Sequence, residues 1–275
     1  MENPRQPEAV SPERAAYLKR IRWERIQVKG LQGSLLIALF LLWELAARQR
    51  WIDPFIMSSP LRIAATISRM FRTGNLLYHI GITCMETVAG FLLGTVIGTA
   101  VAVLLWWSPR TSRVLEPYLV VLNSLPKIAL GPIFIVWIGP GVGSIITMGL
   151  AISLIVTILE VHHGLSLTDA DKIKLVETFG ATRAQVLQKV VLPANLPTIV
   201  NALKVNVGLS WVGVIVGEYL VSKAGLGYLT VYGGQVFQMD LVMASVMILG
   251  FLAAAMYLGV VWLERRLVPP TQQPF

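Results

Sequence analysis

The chain has 275 residues, 55% of them apolar and only 14% charged, where an ordinary soluble domain carries about 25% charged residues. With a mean hydropathy of +0.67, this excludes a disordered chain, a secreted disulfide scaffold and an ordinary soluble enzyme. The single cysteine, Cys84, cannot form an internal disulfide, and no Cys/His cluster has the spacing of a metal site. A net charge of +8 points, in so apolar a chain, to cytoplasmic loops of a membrane protein rather than to nucleic acid.

A helix needs roughly 20 mostly apolar residues to cross the hydrocarbon, and six segments qualify: 31–47, 80–107, 114–138, 142–161, 196–220 and 241–263. The first is short and carries Glu44; its apolar run also fits the core of a signal peptide, with Leu45-Ala46-Ala47 as a poor cleavage site. The 30 residues ahead of it, rich in charged and polar side chains, are too many for a usual signal-peptide n-region and favour an uncleaved anchor. The second is long enough to tilt. The third contains Pro126 and Pro132 and is expected to be broken or kinked. Before the first span, residues 11–29 pattern as a basic amphipathic helix opened by Ser11-Pro12, suited to a membrane surface. Residues 59–79, opened by Ser59-Pro60, pattern as a second amphipathic helix. With six spans and the N-terminus inside, 15 Lys/Arg fall on the inner side and 6 on the outer, so both termini are expected in the cytoplasm.

The longest inner connection is 162–195. Thr168-Asp169 can cap a helix running through Phe179, and Gly180 ends it. A second helix is expected from Thr182 to about Val191, stopped by Leu192-Pro193, with Leu196-Pro197 opening the fifth span. Helix, glycine turn, helix and Leu-Pro make a rigid knuckle suited to docking a partner. An ordinary loop with two short helices is the plainer alternative.

Gly180 followed by Val190 and then Leu192-Pro193 resembles the second half of the "EAA" loop, the signature of inner-membrane permease subunits of ABC importers. The surroundings resemble the nitrate/sulfonate/taurine/bicarbonate-type branch: Trp43-Glu44-Leu45, Ser59-Pro60, Gly90-Phe91, the run Leu125-Pro126-Lys127-Ile128-Ala129-Leu130-Gly131-Pro132 leading to Trp137-Ile138-Gly139, and Trp211, Glu218 and Gly225-Leu226-Gly227. The likeness covers about 40–265. One departure is plain: Lys174 stands where the motif has its glutamate, and Leu175 and Val176 replace its two alanines. Glu177, on the same helical face, is the candidate substitute.

The resemblance implies an all-α polytopic membrane protein with six transmembrane helices, type I importer-like, preceded by an amphipathic N-terminal helix. Its expected parts are a cytoplasmic segment (1–30), a permease domain (31–268) with its coupling loop at 162–195, and a short tail (269–275). In such permeases the loop seats in a groove of the ATPase subunit. That role is implied here for Gly180, Ala181, Val190, Leu192 and Pro193, with Glu177 beside them. Also implied are an ABC ATPase subunit dimer, a second permease subunit, a periplasmic or extracellular substrate-binding protein, and placement in a bacterial inner membrane. The branch handles small anions such as sulfonate, nitrate and bicarbonate, and vitamin precursors. No Gly-Lys dipeptide occurs, so there is no Walker A loop. The chain is expected to be non-catalytic and to hold no cofactor, with ATP and Mg bound by the partner subunit.

Ionisable and polar residues inside spans are candidate functional groups. In the fifth span Asn201, Lys204, Gly208, Trp211, Ile215 and Glu218 recur at three and four residues. They form one helical stripe, the expected pathway face, although Lys204 and Glu218 could instead snorkel to the two interfaces. Asn123 and Lys127 sit at the break in the third span, where freed backbone groups are tolerated beside protein or a wet cavity. Gly90, Gly94, Gly98 and Ala102 read as a packing seam. Glu160 and His162-His163 read as interface residues, with no metal site expected. A secondary transporter driven by an ion gradient is the alternative. It would call for inverted repeats and midplane carboxylates, and neither is evident.

Overall fold

The structure is a computed structural model and describes residues 12–267, among which every regular element is helical. The chain divides into two compact units, residues 1–63 and 64–275.

In the first unit α1 runs unbroken from Pro12 to Arg48. The basic segment and first span expected as separate elements are therefore one 37-residue helix. Gly30 and Gly33 do not interrupt it, since neither adopts a positive φ. Residues 1–11 and the expected tail 269–275 lie outside the described residues. Glu44 is satisfied locally: one carboxylate oxygen accepts from Arg48 Nε at 2.9 Å and the other from the Leu61 amide at 3.2 Å. Asp53 caps the short α2 (Pro54–Met57), accepting from the Phe55 amide at 2.8 Å. The amphipathic helix expected over 59–79 is shorter, with α3 spanning Pro60–Arg72. Gly74, at φ +77°, turns the chain, and residues 75–79 open the next helix instead.

The second unit is built on α4 (Asn75–Trp107), α7 (Val142–Ser166) and α11 (Leu196–Val221), with α13 (Met239–Leu267) and the short α12 (Leu226–Gln235) against them. Between α4 and α7 the expected broken span is present. α5 (Pro109–Ser124) and the stretch Lys127–Ile138, a 3-10 turn leading into α6 (Gly131–Ile138), meet at 86°. Leu125 is extended, the conformation favoured before a proline. Pro132, expected to add to the break, lies in the first turn of α6, where its missing N–H is no loss. Among the described residues five helices are long and apolar enough to cross a membrane, and the bent pair brings the number to six where its two halves count as one span.

Small residues set the spacing of the central helices. Gly94 faces Ser153 and Gly98 faces Thr157, so α4 and α7 run parallel with the glycine seam between them. α11 returns antiparallel to α7 and approaches it through backbone: a Cβ placed on Gly213 would lie 2.6 Å from Gly149 Cα. Buried Asn206 joins all three helices, donating to Thr157 Oγ1 and, at 3.4 Å, to Thr95 Oγ1. The apolar core has two parts. One gathers Phe91, Val207, Trp211, Leu226, Leu229, Leu249 and Val260 around α12. The other gathers Ala102, Val161, Leu165 and Ala202 with Val186, Leu187 and Val191 of the long connection.

Candidate functional site

That second cluster makes the 162–195 connection part of the bundle rather than a free loop. α8 (Ala170–Thr178) starts at Asp169, whose side chain accepts from the Asp171 amide at 2.9 Å. Gly180, at φ +82°, ends it. The Ala181 amide reaches Val176 O at 3.3 Å and the Gly180 amide reaches Glu177 O at 2.9 Å, the paired bonds of a Schellman motif. Only two residues later Thr182 opens α9 (Arg183–Val186) with a capping box: its amide donates to Gln185 Oε1 at 2.8 Å, and its hydroxyl accepts from the Gln185 amide at 3.4 Å.

The expected stop at Leu192-Pro193 is not a stop. Helical backbone continues through a π turn (Leu187–Val191) into α10 (Leu192–Ala194). Pro193 lacks the N–H that would bond residue 189 and its ring crowds that carbonyl. The wider turn accommodates both, with the Leu192 amide reaching back to Leu187 O. Asn195 then closes the base of the loop, its Nδ2 donating to Thr168 Oγ1 at 2.7 Å and to Val191 O at 2.8 Å.

One cation fastens the knuckle to α4. The Arg183 guanidinium carbon stands 5.5 Å from the Trp106 ring centre and 5.8 Å from that of Trp107, and a guanidinium nitrogen donates to Trp106 O at 3.4 Å. Glu177, Arg113 and Arg183 line a cavity of about 550 Å³ beneath it. Gly180, Pro193 and Glu177 are exposed, while Ala181, Val190 and Leu192 are half-buried. Lys174, where the motif has its glutamate, is exposed beside Asp171 at 3.9 Å. Two residues that sequence reasoning passed over stand out here. Phe179 is 82% exposed and Leu175 is 58% exposed. The signal was present, as a large apolar residue ahead of a turn glycine in a polar loop has no local use.

The pathway candidates separate into two groups. Asn123 lines a cavity of about 570 Å³ between α5 and α7, together with Glu116, Glu160, His162 and His163. Lys127 Nζ donates to Asn123 O at 2.9 Å and to Asn123 Oδ1 at 3.1 Å, satisfying the helix end at the break. Asn201 Nδ2 donates to Glu160 Oε1 at 2.9 Å. Gly208 is exposed, with open space where a Cβ would stand. His162 is held by Ser112 Oγ at 2.7 Å, tying α7 to α5. Among the described residues no group of three His, Cys, Asp or Glu side chains could hold a metal.

The remaining members of the α11 stripe, Lys204, Trp211, Ile215 and Glu218, pack against neighbouring elements. Lys204 Nζ is 2.7 Å from Glu264 Oε1 on α13. Trp211 is buried in the core around α12. Glu218 is 1% exposed and caps α12, its Oε2 accepting from the Gly227 amide at 2.6 Å and the Tyr228 amide at 3.3 Å. The spacing identifies a face correctly, but neighbouring helices cover half of it.

Residues 90–272 match the family described as "Binding-protein-dependent transport system inner membrane component". A "Probable ABC transporter permease protein" of Haemophilus influenzae is 31% identical over 245 residues, covering 88% of this chain and 99% of that protein. A "Putative aliphatic sulfonates transport permease protein SsuC" of Bacillus subtilis is 29% identical over 240 residues, covering 86% and 87%. In structure the chain is similar to one from a crystal structure of a bacterial ABC transporter that imports the acidic polysaccharide alginate. The TM-score is 0.65 at 13% identity, over 92% of this chain and all of that one, a likeness of fold. The chain therefore belongs to the inner-membrane components of binding-protein-dependent transport systems: it is a multi-span permease subunit of an ABC importer, a transport component of the bacterial inner membrane.

Proposed function

We propose that the chain forms the translocation path for a small solute delivered by a soluble binding protein. Two copies would work together, with ATP and Mg bound and hydrolysed by a separate pair of ATPase subunits beneath the 169–194 knuckle. The observation that carries this reading is the build of the knuckle. Paired caps around Gly180, the Asn195–Thr168 clasp and the Arg183–tryptophan contact make it a stiff projection, and Phe179 and Leu175 offer an apolar surface at its tip. Closure of the ATPases would move α8 and α9 as one body. The shared core of Val186, Leu187 and Val191 with Ala102, Val161 and Ala202 would pass that movement to α4, α7 and α11. The Lys/Arg bias supports a cytoplasmic position for the knuckle and both termini.

The path itself is assigned to the surface around Asn123, Lys127, Glu160, Asn201 and Gly208, where open space and polar groups coincide. Its charge is mixed. Lys127 contacts Asn123, while Glu116 and Glu160 line the cavity that Asn123 also lines, so the membrane path supplies no strong preference for anions, and the choice of solute rests with the binding protein. A sulfonate-like anion suits the similarity to the Bacillus subtilis protein, and a vitamin precursor is the other class to assay.

The test is a pull-down of the tagged chain in mild detergent, with every partner identified, followed by ATPase activity with and without Gly180→Trp. An ATPase subunit that co-purifies with the parent chain and loses association or stimulated activity in the variant supports the docking role. A chain that purifies alone and transports on a proton or sodium gradient overturns it.

A further inference from the structure

At the end of the bundle opposite the knuckle, α12 begins with four amide groups that its own helix cannot satisfy. Each meets a side chain. The Gly225 amide donates to His79 Nδ1 at 3.0 Å, the Leu226 amide to Thr83 Oγ1 at 2.8 Å, and the Gly227 and Tyr228 amides to Glu218 Oε2. Gly225 is at φ +111°, and a Cβ on it would fall on the Glu218 carboxyl group, so the turn wraps tightly around that carboxylate. A second carboxyl group faces the first. Glu86 on α4 is within hydrogen-bonding reach of Glu218 and is 1% exposed. Neither Glu86 oxygen, nor Glu218 Oε1, meets an N–H or O–H donor among the described residues.

We propose that Glu86 and Glu218 bind one proton between them, as a carboxylic acid donating to a carboxylate. Two buried carboxylates side by side cannot both remain charged without a cation, and among the described residues no Lys or Arg side chain is paired with either one. On α4, His79 accepts at Nδ1 and so carries its ring proton on Nε2 as a neutral imidazole. Cys84, also on α4, brings no positive charge. α12 presents amides and Tyr228, and α7 presents Ile145. Lys223, in the turn after α11, lines the adjoining cavity of about 380 Å³ but is exposed to solvent there.

The geometry also places the proton. Glu218 Oε2 accepts two amides at the positive end of a helix, which favours its charged form. Glu86 accepts none. Glu86 therefore carries the proton and donates it to Glu218 Oε1, so that one hydrogen bond pairs two of the three orphaned oxygens. Glu86 also lines the adjoining cavity, with Tyr78, Gly141 and Ser222. The pair thus joins α4, α11 and the start of α12 through a single negative charge.

The test is infrared spectroscopy of the full chain in lipid nanodiscs at neutral pH. The unmodified chain should show a protonated carboxyl C=O stretch that moves in D2O and moves again when glutamate is labelled with ¹³C at its side-chain carboxyl. The band should be lost in Glu86→Gln. That variant keeps a donor toward Glu218 and should unfold within a few degrees of the parent, whereas Glu86→Ala should unfold clearly lower. Absence of a ¹³C-sensitive band in the unmodified chain overturns the proposal without reference to any variant. So does a band that persists in Glu86→Gln. Neither result bears on the docking role of the knuckle.

Discussion

Lys204 offers the sharpest separation between a residue that serves the path and one that serves the fold. Its Nζ lies 2.7 Å from Glu264 Oε1, and the two side chains keep only 18% and 13% of their surface. Lys204→Met leaves Glu264 without a partner; Glu264→Leu does the same to Lys204. Breaking a buried pair from one side typically costs about 3–5 kcal/mol, and the residual exposure here should bring each single variant to about 3 kcal/mol through solvent screening. The double variant replaces the pair by apolar contact between α11 and α13 and should return to within about 1 kcal/mol of the parent, because both desolvation penalties vanish together. The coupling energy from the cycle should then be about 5 kcal/mol, well above what independent sites show. Denaturation of the four proteins in the same detergent measures it, and transport by the double variant in the assembled importer should stay close to parental. Single effects that are small and additive would refute the structural role, and Lys204 would return to the path candidates.

Three further outcomes follow from the packing. Gly213→Ala puts a methyl 2.6 Å from Gly149 Cα, where backbone rather than a mobile side chain must yield; unfolding should show a loss of about 1–3 kcal/mol, while Gly208→Ala, with open space around it, should be neutral. Thr182→Ala removes the cap of α9 and should destabilise the knuckle by about 1 kcal/mol, visible as faster amide exchange confined to residues 182–186. Arg183→Ala removes the contact with Trp106 and Trp107, about 1 kcal/mol in all at an exposed site. Its larger expected effect is on transmission, with ATPase activity in the assembled importer retained and transport per ATP reduced; unchanged coupling would show that the apolar core alone carries the movement.

The spans, the break near Pro126 and the caps at Asp169, Gly180 and Thr182 were legible in the sequence because each rests on local rules: apolar length, missing amides and side chains that reach two or three residues. The joining of the basic segment to the first span in α1 was not. Helix propagation needs no signal where nothing stops it, and the change from polar to apolar composition looked like a boundary. Pro193 misled in the opposite sense, since a π turn upstream relieved the clash that ordinarily ends a helix. The clasp between Asn195 and Thr168 and the tie at Asn206 are also beyond local reading, as their partners lie 27 to 111 residues away.

The α11 stripe shows where the limit falls. A repeat of three and four residues establishes that Asn201, Lys204, Gly208, Trp211 and Glu218 share a face, but it cannot say what covers that face along its length. In this chain the cover changes every turn or so: Glu160 reaches Asn201, Glu264 takes Lys204, open space lies over Gly208, the apolar core closes on Trp211, and the start of α12 folds onto Glu218. A charged residue in a span is a functional hypothesis by default, and Glu218 also carries the signal of a cap. Gly225-Leu226-Gly227 follows it closely, and two glycines flanking a helix start are what a buried carboxylate needs in order to be reached by backbone amides. The physical content of that pattern is a cap, and with Glu86 beside it the cap becomes a place to hold a proton.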